Sequence, residues 1–310
     1  MTAPTSTPLA GSAFLAAARG ETPTHTPVWF MRQAGRSLPE YLKIREGVGM
    51  LESCMDADLV TEITLQPVRR YGVDAAIFFS DIVLPLKAVG VDLDIKPGIG
   101  PVVASPVRTL ADVEAIPDLT SEHVPNISQA VKQLVAELGA TPLIGFAGAP
   151  FTVASYLVEG GPSKEQAKTK AMMFSAPDVW DALMRKIAGI AADYLRIQVE
   201  AGASAVQLFD SWAGALTPGD YAEHVMPHSA RVLESAGELG VPPSSATSCL
   251  TACVMKGTCS GVRSAIASTS ARVRTGEATT GPTPATMSRS TPTALSGSTM
   301  SEKKMAASTP

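Results

Sequence analysis

Residues 74–81 read DAAIFFSD. From Ala75 to Phe79 the run is apolar without a break, and it closes on Ser80 and Asp81. A strand with one wet face alternates; a strand apolar at successive positions is covered on both faces, as in parallel sheets. Two further runs have the same form. PLIGFA, 142–147, leads into GAPFT, and AGASAVQLFDS, 201–211, ends on Asp210 and Ser211. A shorter run, PVWFM at 27–31, starts on Pro27, predicts a strand, and feeds directly into two arginines, Arg32 and Arg36.

Helical spacing separates these runs. Met55, Leu59, Ile63 and Val68 keep a helical period between about 51 and 71, and Trp180, Leu183, Met184, Ile187, Ile190, Ala191 and Tyr194 keep it over about 178–200. Each apolar run is far enough from the next for a helical crossover. Alternating strand and helix predicts an α/β fold. Polar residues gather where the strands end: Arg32, Arg36, Ser80, Asp81, Tyr156, Asp210 and Ser211. A (β/α)8 barrel places those loops on one active-site face. A doubly wound sheet would also bind ligands at strand C-termini, but no GxGxxG follows a strand, which argues against a dinucleotide-binding fold.

The chain has 310 residues, 45% of them hydrophobic, and a net charge of −4. That suits a globular protein with a large core, and the charge gives no general reason to expect nucleic acid. No 18-residue uncharged apolar run predicts a membrane helix. The N-terminus lacks a basic region ahead of its short apolar part, so it reads as a cytoplasmic start. With no export signal, the four cysteines are expected to be reduced.

Composition changes near Val241. Every Phe, Trp and Tyr lies at or before Tyr221, and every His at or before His228. Residues 242–310 carry seven Lys plus Arg against Glu277 and Glu302, and 26 of those 69 residues are Ser or Thr. Such a segment has few apolar groups to offset its ordering entropy, so disorder is expected. A regulatory tail and a slipped reading frame both account for it. The expected domains are therefore a barrel over 1–241 and a Ser/Thr/Ala-rich tail over 242–310. Cys249, Cys253 and Cys259 lie in the tail without a CxxC or His, so no metal site is expected there.

Each candidate residue has two readings. The guanidinium groups of Arg32 and Arg36 match carboxylates or phosphates through paired donors, or pair with an acid such as Glu40. Asp81 is either a charge aimed at a cation or an N–H donor, or a helix N-cap. Tyr156 offers a phenol on an apolar body, or is a core tyrosine with its hydroxyl satisfied. Ser211 has no nucleophile elbow and no His placed to activate it, so it reads as a hydrogen-bonding group. His224 and His228, four apart, could share a helix face; without a third ligand they read as surface histidines.

In order, RQAGRSLPEY (32–41), FFSDI (78–82), GAPFTVASYLVEGG (148–161) and QLFDSWAG (207–214) closely resemble the uroporphyrinogen decarboxylase family, over about residues 10–241. The resemblance implies a (β/α)8 barrel, usually a homodimer. It implies removal of carbon dioxide from the four acetate side chains of uroporphyrinogen III, giving coproporphyrinogen III without metal or organic cofactor. By position it assigns Arg32 and Arg36 to substrate carboxylates, with Gln33, Ala34 and Gly35 forming the loop between. It assigns Asp81, as the catalytic residue, to the pyrrole N–H groups at the macrocycle centre, and Tyr156 and Ser211 to substrate binding. The partners implied are the small-molecule substrate and a second copy of the chain, with no nucleic acid and no membrane.

The sequence departs from the family after ELGVP, 238–242. The family continues with further βα units and a late Gly-His-Gly motif; no His follows His228 here. The expected barrel is therefore incomplete, its C-terminal units replaced by the tail. Two rival readings remain: a zinc-dependent methyltransferase of the same fold group, and an inactive tetrapyrrole-binding protein.

Overall fold

The computed structural model describes residues 8–30 and 38–246. Every described residue lies in one compact unit.

Six strands are present among the described residues: β1 (Ala76–Ile77), β2 (Leu93–Lys96), β3 (Gly100–Val103), β4 (Leu143–Gly148), β5 (Ala205–Phe209) and β6 (Pro243–Ala246). Four of them form one sheet in the order β1-β4-β5-β6, parallel throughout. Residues 143–148 are all buried, as their unbroken apolar run requires. β2 and β3 form a separate antiparallel hairpin, closed over Pro97 and Gly98, where Gly98 takes φ +74°. Glycine enters that left-handed region without a Cβ clash.

Helices cross between the strands. The Pro177–Ala201 helix buries Trp180, Leu183, Met184, Ile187 and Tyr194 in the core, and packs on β4 and on the Pro150–Glu159 helix. The helical period over 51–71 becomes two helices, Met50–Met55 and Ala57–Tyr71. Asp56 divides them, its carboxylate capping the second by accepting from the Asp58 and Leu59 N–H groups at 2.9 and 3.0 Å.

Two expectations change. Residues 27–30 of the PVWFM run form no strand. Asp74 intercepts the segment: its Oδ2 accepts from the Val28 N–H at 2.6 Å and its N–H donates to the Val28 carbonyl at 2.9 Å. A side chain thus takes the bond a ladder would need, and Pro27 has no N–H to extend the pairing. Val28 and Phe30 are accordingly 48% and 44% exposed. The tail expected from residue 242 contributes β6, whose residues Pro-Ser-Ser-Ala have little strand preference. Pairing with β5 holds them there, helped by Ser244 Oγ at 2.7 Å from Gln207 Oε1. Residues 247–310, with Cys249, Cys253 and Cys259, lie outside the described residues.

One closure in the sheet depends on a helix. β1 pairs with β4 over two residues, and the Phe78 N–H extends the pairing to the Ile144 carbonyl. Beyond that, Phe146 has no strand partner on the β1 side. The fully buried Gln198 side chain fills the place: Oε1 accepts from the Phe146 N–H at 2.9 Å, and Nε2 donates to the Phe146 carbonyl at 3.0 Å. A side-chain amide carries both a donor and an acceptor, so it can replace the two backbone groups of a strand together.

Candidate functional site

The sheet brings its polar residues to one edge, the C-terminal ends of the strands. Asp81 follows β1, Tyr156 lies on the Pro150–Glu159 helix that follows β4, and Ser211 lies two residues beyond the end of β5. Arg32, Gln33, Ala34, Gly35 and Arg36 lie outside the described residues. Glu40, the acid offered as a partner for the loop arginines, is paired with Arg70 Nε at 3.2 Å.

Asp81 is half-buried. Its Oδ1 accepts from the Val83 N–H at 3.0 Å, which holds the turn into the Leu84–Ala88 helix. Val83, not Asp81, is that helix's N-cap; Asp81 bonds the N–H two residues on, ahead of the helix. The carboxylate stands beside Cys54 and Tyr194. Burial pushes the Cys54 thiol up and the Asp81 charge adds to it, so Cys54 is a neutral, inert thiol. Burial also pushes the Tyr194 phenol up, while its hydrogen bond with Ser80 Oγ, 2.9 Å, opposes this. Ser80 and Tyr194 thus fix the backbone just before Asp81.

Tyr156 is partly buried. Its ring lies over Trp212, centroids 4.2 Å apart at 33°. The pair lines an open cleft of about 380 Å³, whose other walls include Pro101, Ser163 and Lys164. The β2–β3 hairpin is docked beside it by the Val103 N–H bond to the Gly160 carbonyl, 3.0 Å. Ser211 is exposed next to Trp212.

Gly148 joins the Asp81 turn to the Tyr156 helix. A Cβ there would lie 2.5 Å from Val153 Cγ2 and 2.8 Å from Ile82 Cβ. Neither is the far end of a flexible chain. Gly148→Ala is therefore expected to lose about 1–3 kcal/mol, read by denaturant unfolding. A loss below about 0.5 kcal/mol would show the contact to be slack.

Two residues at this edge carry more than their sequence signals suggested. Arg45, nine residues beyond Arg36, donates through Nη1 to Ser53 Oγ and Met50 Sδ, and its charge lowers the Cys54 thiol pKa. Its Nε is buried with no partner among the described residues. Asp210, at the end of β5, is 1% exposed. Its Oδ1 accepts from Thr152 Oγ1 at 2.7 Å, and its Oδ2 has no partner among the described residues. Burial pushes its carboxyl up from 3.8 to about 6, against the Thr152 hydrogen bonds. The folded state therefore holds this proton more tightly than the unfolded chain. The stability this contributes is complete below about pH 4 and is lost as pH rises through about 6.

The histidines are not surface groups on one face. His224 ends the Pro218–His224 helix and His228 belongs to the next, Met226–Glu238. Their side chains are 22% and 13% exposed. His224 meets Phe174 edge-on at 5.5 Å, and His228 lies 3.5 Å from Asp181. Among the described residues no group of three or more His, Cys, Asp and Glu could hold a metal, and no helix is long and apolar enough to cross a membrane.

A parallel sheet covered by helices, with polar side chains collected beyond its strand ends, defines an α/β protein, and the sheet's four described strands are in keeping with part of a (β/α)8 barrel. The fold resembles a methyltransferase from Methanosarcina mazei, with a TM-score of 0.58 at 17% identity over 75% of this chain and 74% of that one; this likeness carries the fold alone. The family model for uroporphyrinogen decarboxylase matches residues 10–273, and the chain belongs to that family. A uroporphyrinogen decarboxylase of Nocardioides sp. is 85% identical over 234 residues, 76% of this chain and 68% of that protein. One from Streptomyces griseus is 65% identical over 231 residues, 74% of this chain and 63% of that protein. The chain thus spans about two thirds of the length of these relatives.

Proposed function

We propose that this edge binds uroporphyrinogen III and decarboxylates its four acetate arms to the methyl groups of coproporphyrinogen III. The observation that carries the reading is the 85% identity, over 234 residues, to a protein of that name. The chemistry is in keeping with it. The substrate carries eight carboxylates, which suit Arg32 and Arg36 on the loop formed by Gln33, Ala34 and Gly35. Its centre presents four pyrrole N–H donors, which suit the Asp81 carboxylate. The stacked Tyr156 offers a flat face with a hydroxyl, and Ser211 a second hydroxyl at the cleft.

In the proposed step a proton adds to the pyrrole ring carbon next to the one bearing the acetate arm. The C–C bond to the carboxylate breaks, carbon dioxide leaves, and its electron pair neutralises the cationic ring. A proton then adds to the exposed methylene and the first proton is lost from the ring carbon, which restores the pyrrole with a methyl group and consumes one proton per carbon dioxide released. Asp81 favours the cation because a fixed negative charge in a poorly hydrated site needs no reorganisation as positive charge develops. No metal or cofactor enters this step. We place the reaction in the cytoplasm and the chain in a homodimer, following the family resemblance.

The test is an anaerobic assay of the 310-residue chain with uroporphyrinogen III, products oxidised and separated by carboxylate number. Porphyrins with seven to four carboxylates are expected. Folded protein that yields none, while still binding porphyrin, would replace this reading with that of a tetrapyrrole-binding protein.

A further inference from the structure

Asp210 is a buried carboxylate that the proposed step does not use, and its surroundings form a closed circuit. Trp212 donates its N–H to Thr152 Oγ1 at 3.1 Å, so the Thr152 hydroxyl proton is free to point the other way, to Asp210 Oδ1 at 2.7 Å. The direction of both bonds follows, because a backbone N–H can only donate. Thr152 and Tyr156 are four apart on the Pro150–Glu159 helix and therefore stand one above the other on the same face. Tyr156 stacks on the Trp212 ring, which returns the circuit to the loop that began at Asp210. Ser211 lies inside the circuit, held between two anchored neighbours.

The helix supplies a second reason for the carboxylate. Its N-cap is Ala149, which has no side chain to bond the first N–H groups. Thr152 occupies the first turn, and its N–H also faces Asp210. A carboxylate from another element thus stands at the first turn of the helix, where the helix dipole favours a negative charge. Asparagine would accept the same Thr152 bond without burying a charge, so what aspartate adds is the charge itself.

We propose that Asp210 and Thr152 act as a buckle that sets the spacing of Ser211 and Tyr156, and that they are positioning residues for the substrate assigned to this edge above. The buckle is tight while Asp210 is ionised. Protonation leaves either an Oδ2 hydroxyl with no acceptor among the described residues, or an Oδ1 hydroxyl that competes with Thr152. The titratable group facing Asp210 from the neighbouring Pro218–His224 helix is Tyr221. Burial and the Asp210 charge raise its phenol above the ordinary 10, so it stays neutral. No other charged group acts on Asp210 among the described residues.

The experiment reads Trp212 emission in the full chain from pH 4.5 to 8.5, using a Trp212→Phe variant to subtract Trp29 and Trp180. The wild type is expected to show a transition with a midpoint near 6. Asp210→Asn should hold the low-pH emission throughout. Thr152→Val removes a bond that favours the ionised form, so its midpoint should move to higher pH. In the decarboxylation assay both variants should lower kcat/KM by about tenfold to a hundredfold, the size of a small misplacement of binding groups. A transition that survives in Asp210→Asn, a midpoint unmoved in Thr152→Val, or no transition in the wild type would overturn the proposal. Thr152→Val keeps the charge and decides the matter if Asp210→Asn does not fold. The emission is read without substrate, so it stands whether or not the chain decarboxylates.

Discussion

Asp81→Asn is expected to lower kcat for uroporphyrinogen III by about 10²- to 10³-fold, the size of losing one preorganised charge or donor at a developing ion. The substitution isolates the charge. An Asn oxygen can still accept from the Val83 N–H, so the turn into the Leu84–Ala88 helix persists. Unfolding midpoints should then change by no more than about 0.5 kcal/mol, the range of a replacement that leaves packing and local bonds intact. Asp81→Ala should be worse on both measures, because it also removes that acceptor. Activity of Asp81→Asn within threefold of wild type would remove Asp81 from the chemistry and leave it a turn residue.

Gln198→Leu is expected to destabilise the fold by about 3 kcal/mol or more, without touching the site. Leu fits the volume but strands the Phe146 N–H and carbonyl in the core, each left unpaired at about 1–3 kcal/mol. It also loses the Nε2 bond to the Tyr194 carbonyl at 3.0 Å. Gln198→Glu separates shape from bonding. Its carboxylate can accept from Phe146 but cannot donate, and it buries a charge, so it should be no better than Leu. Denaturant unfolding of both variants checks this. A loss below about 1 kcal/mol for Leu would mean that β4 finds other partners, through water or by closing on β1.

Much of the architecture was legible. Apolar runs within 74–81, 142–147 and 201–211 call for cover on both faces, and that requirement placed three of the four parallel strands. The period through Trp180, Leu183, Ile187 and Tyr194 gave the long helix nearly to its ends. Other parts were not legible, for identifiable reasons. PVWFM has strand composition, yet a carboxylate from residue 74 takes its backbone bond. β6 has no strand composition, yet β5 offers it a ladder. The β2–β3 hairpin had a Pro-Gly turn as its signal, within a stretch too mixed in polarity to stand out. His224 and His228 have helical spacing, but Val225 ends one helix and Met226 starts another, so they share no face.

At the site, residue types and their position after apolar strands singled out Asp81, Tyr156 and Ser211 and placed them on one edge. The roles of Asp210 and Gln198 could not be read in that way. Asp210 was visible as a polar strand end, but its meaning depends on Thr152, 58 residues away, and Gln198 on Phe146, 52 residues away. Periodicity and burial are local properties, dictated by which face of an element water reaches, and the sequence alone determines them. Which buried donor meets which buried acceptor is settled when distant elements pack, because in a dry interior each polar group must take the partner that the tertiary fold brings within about 3 Å.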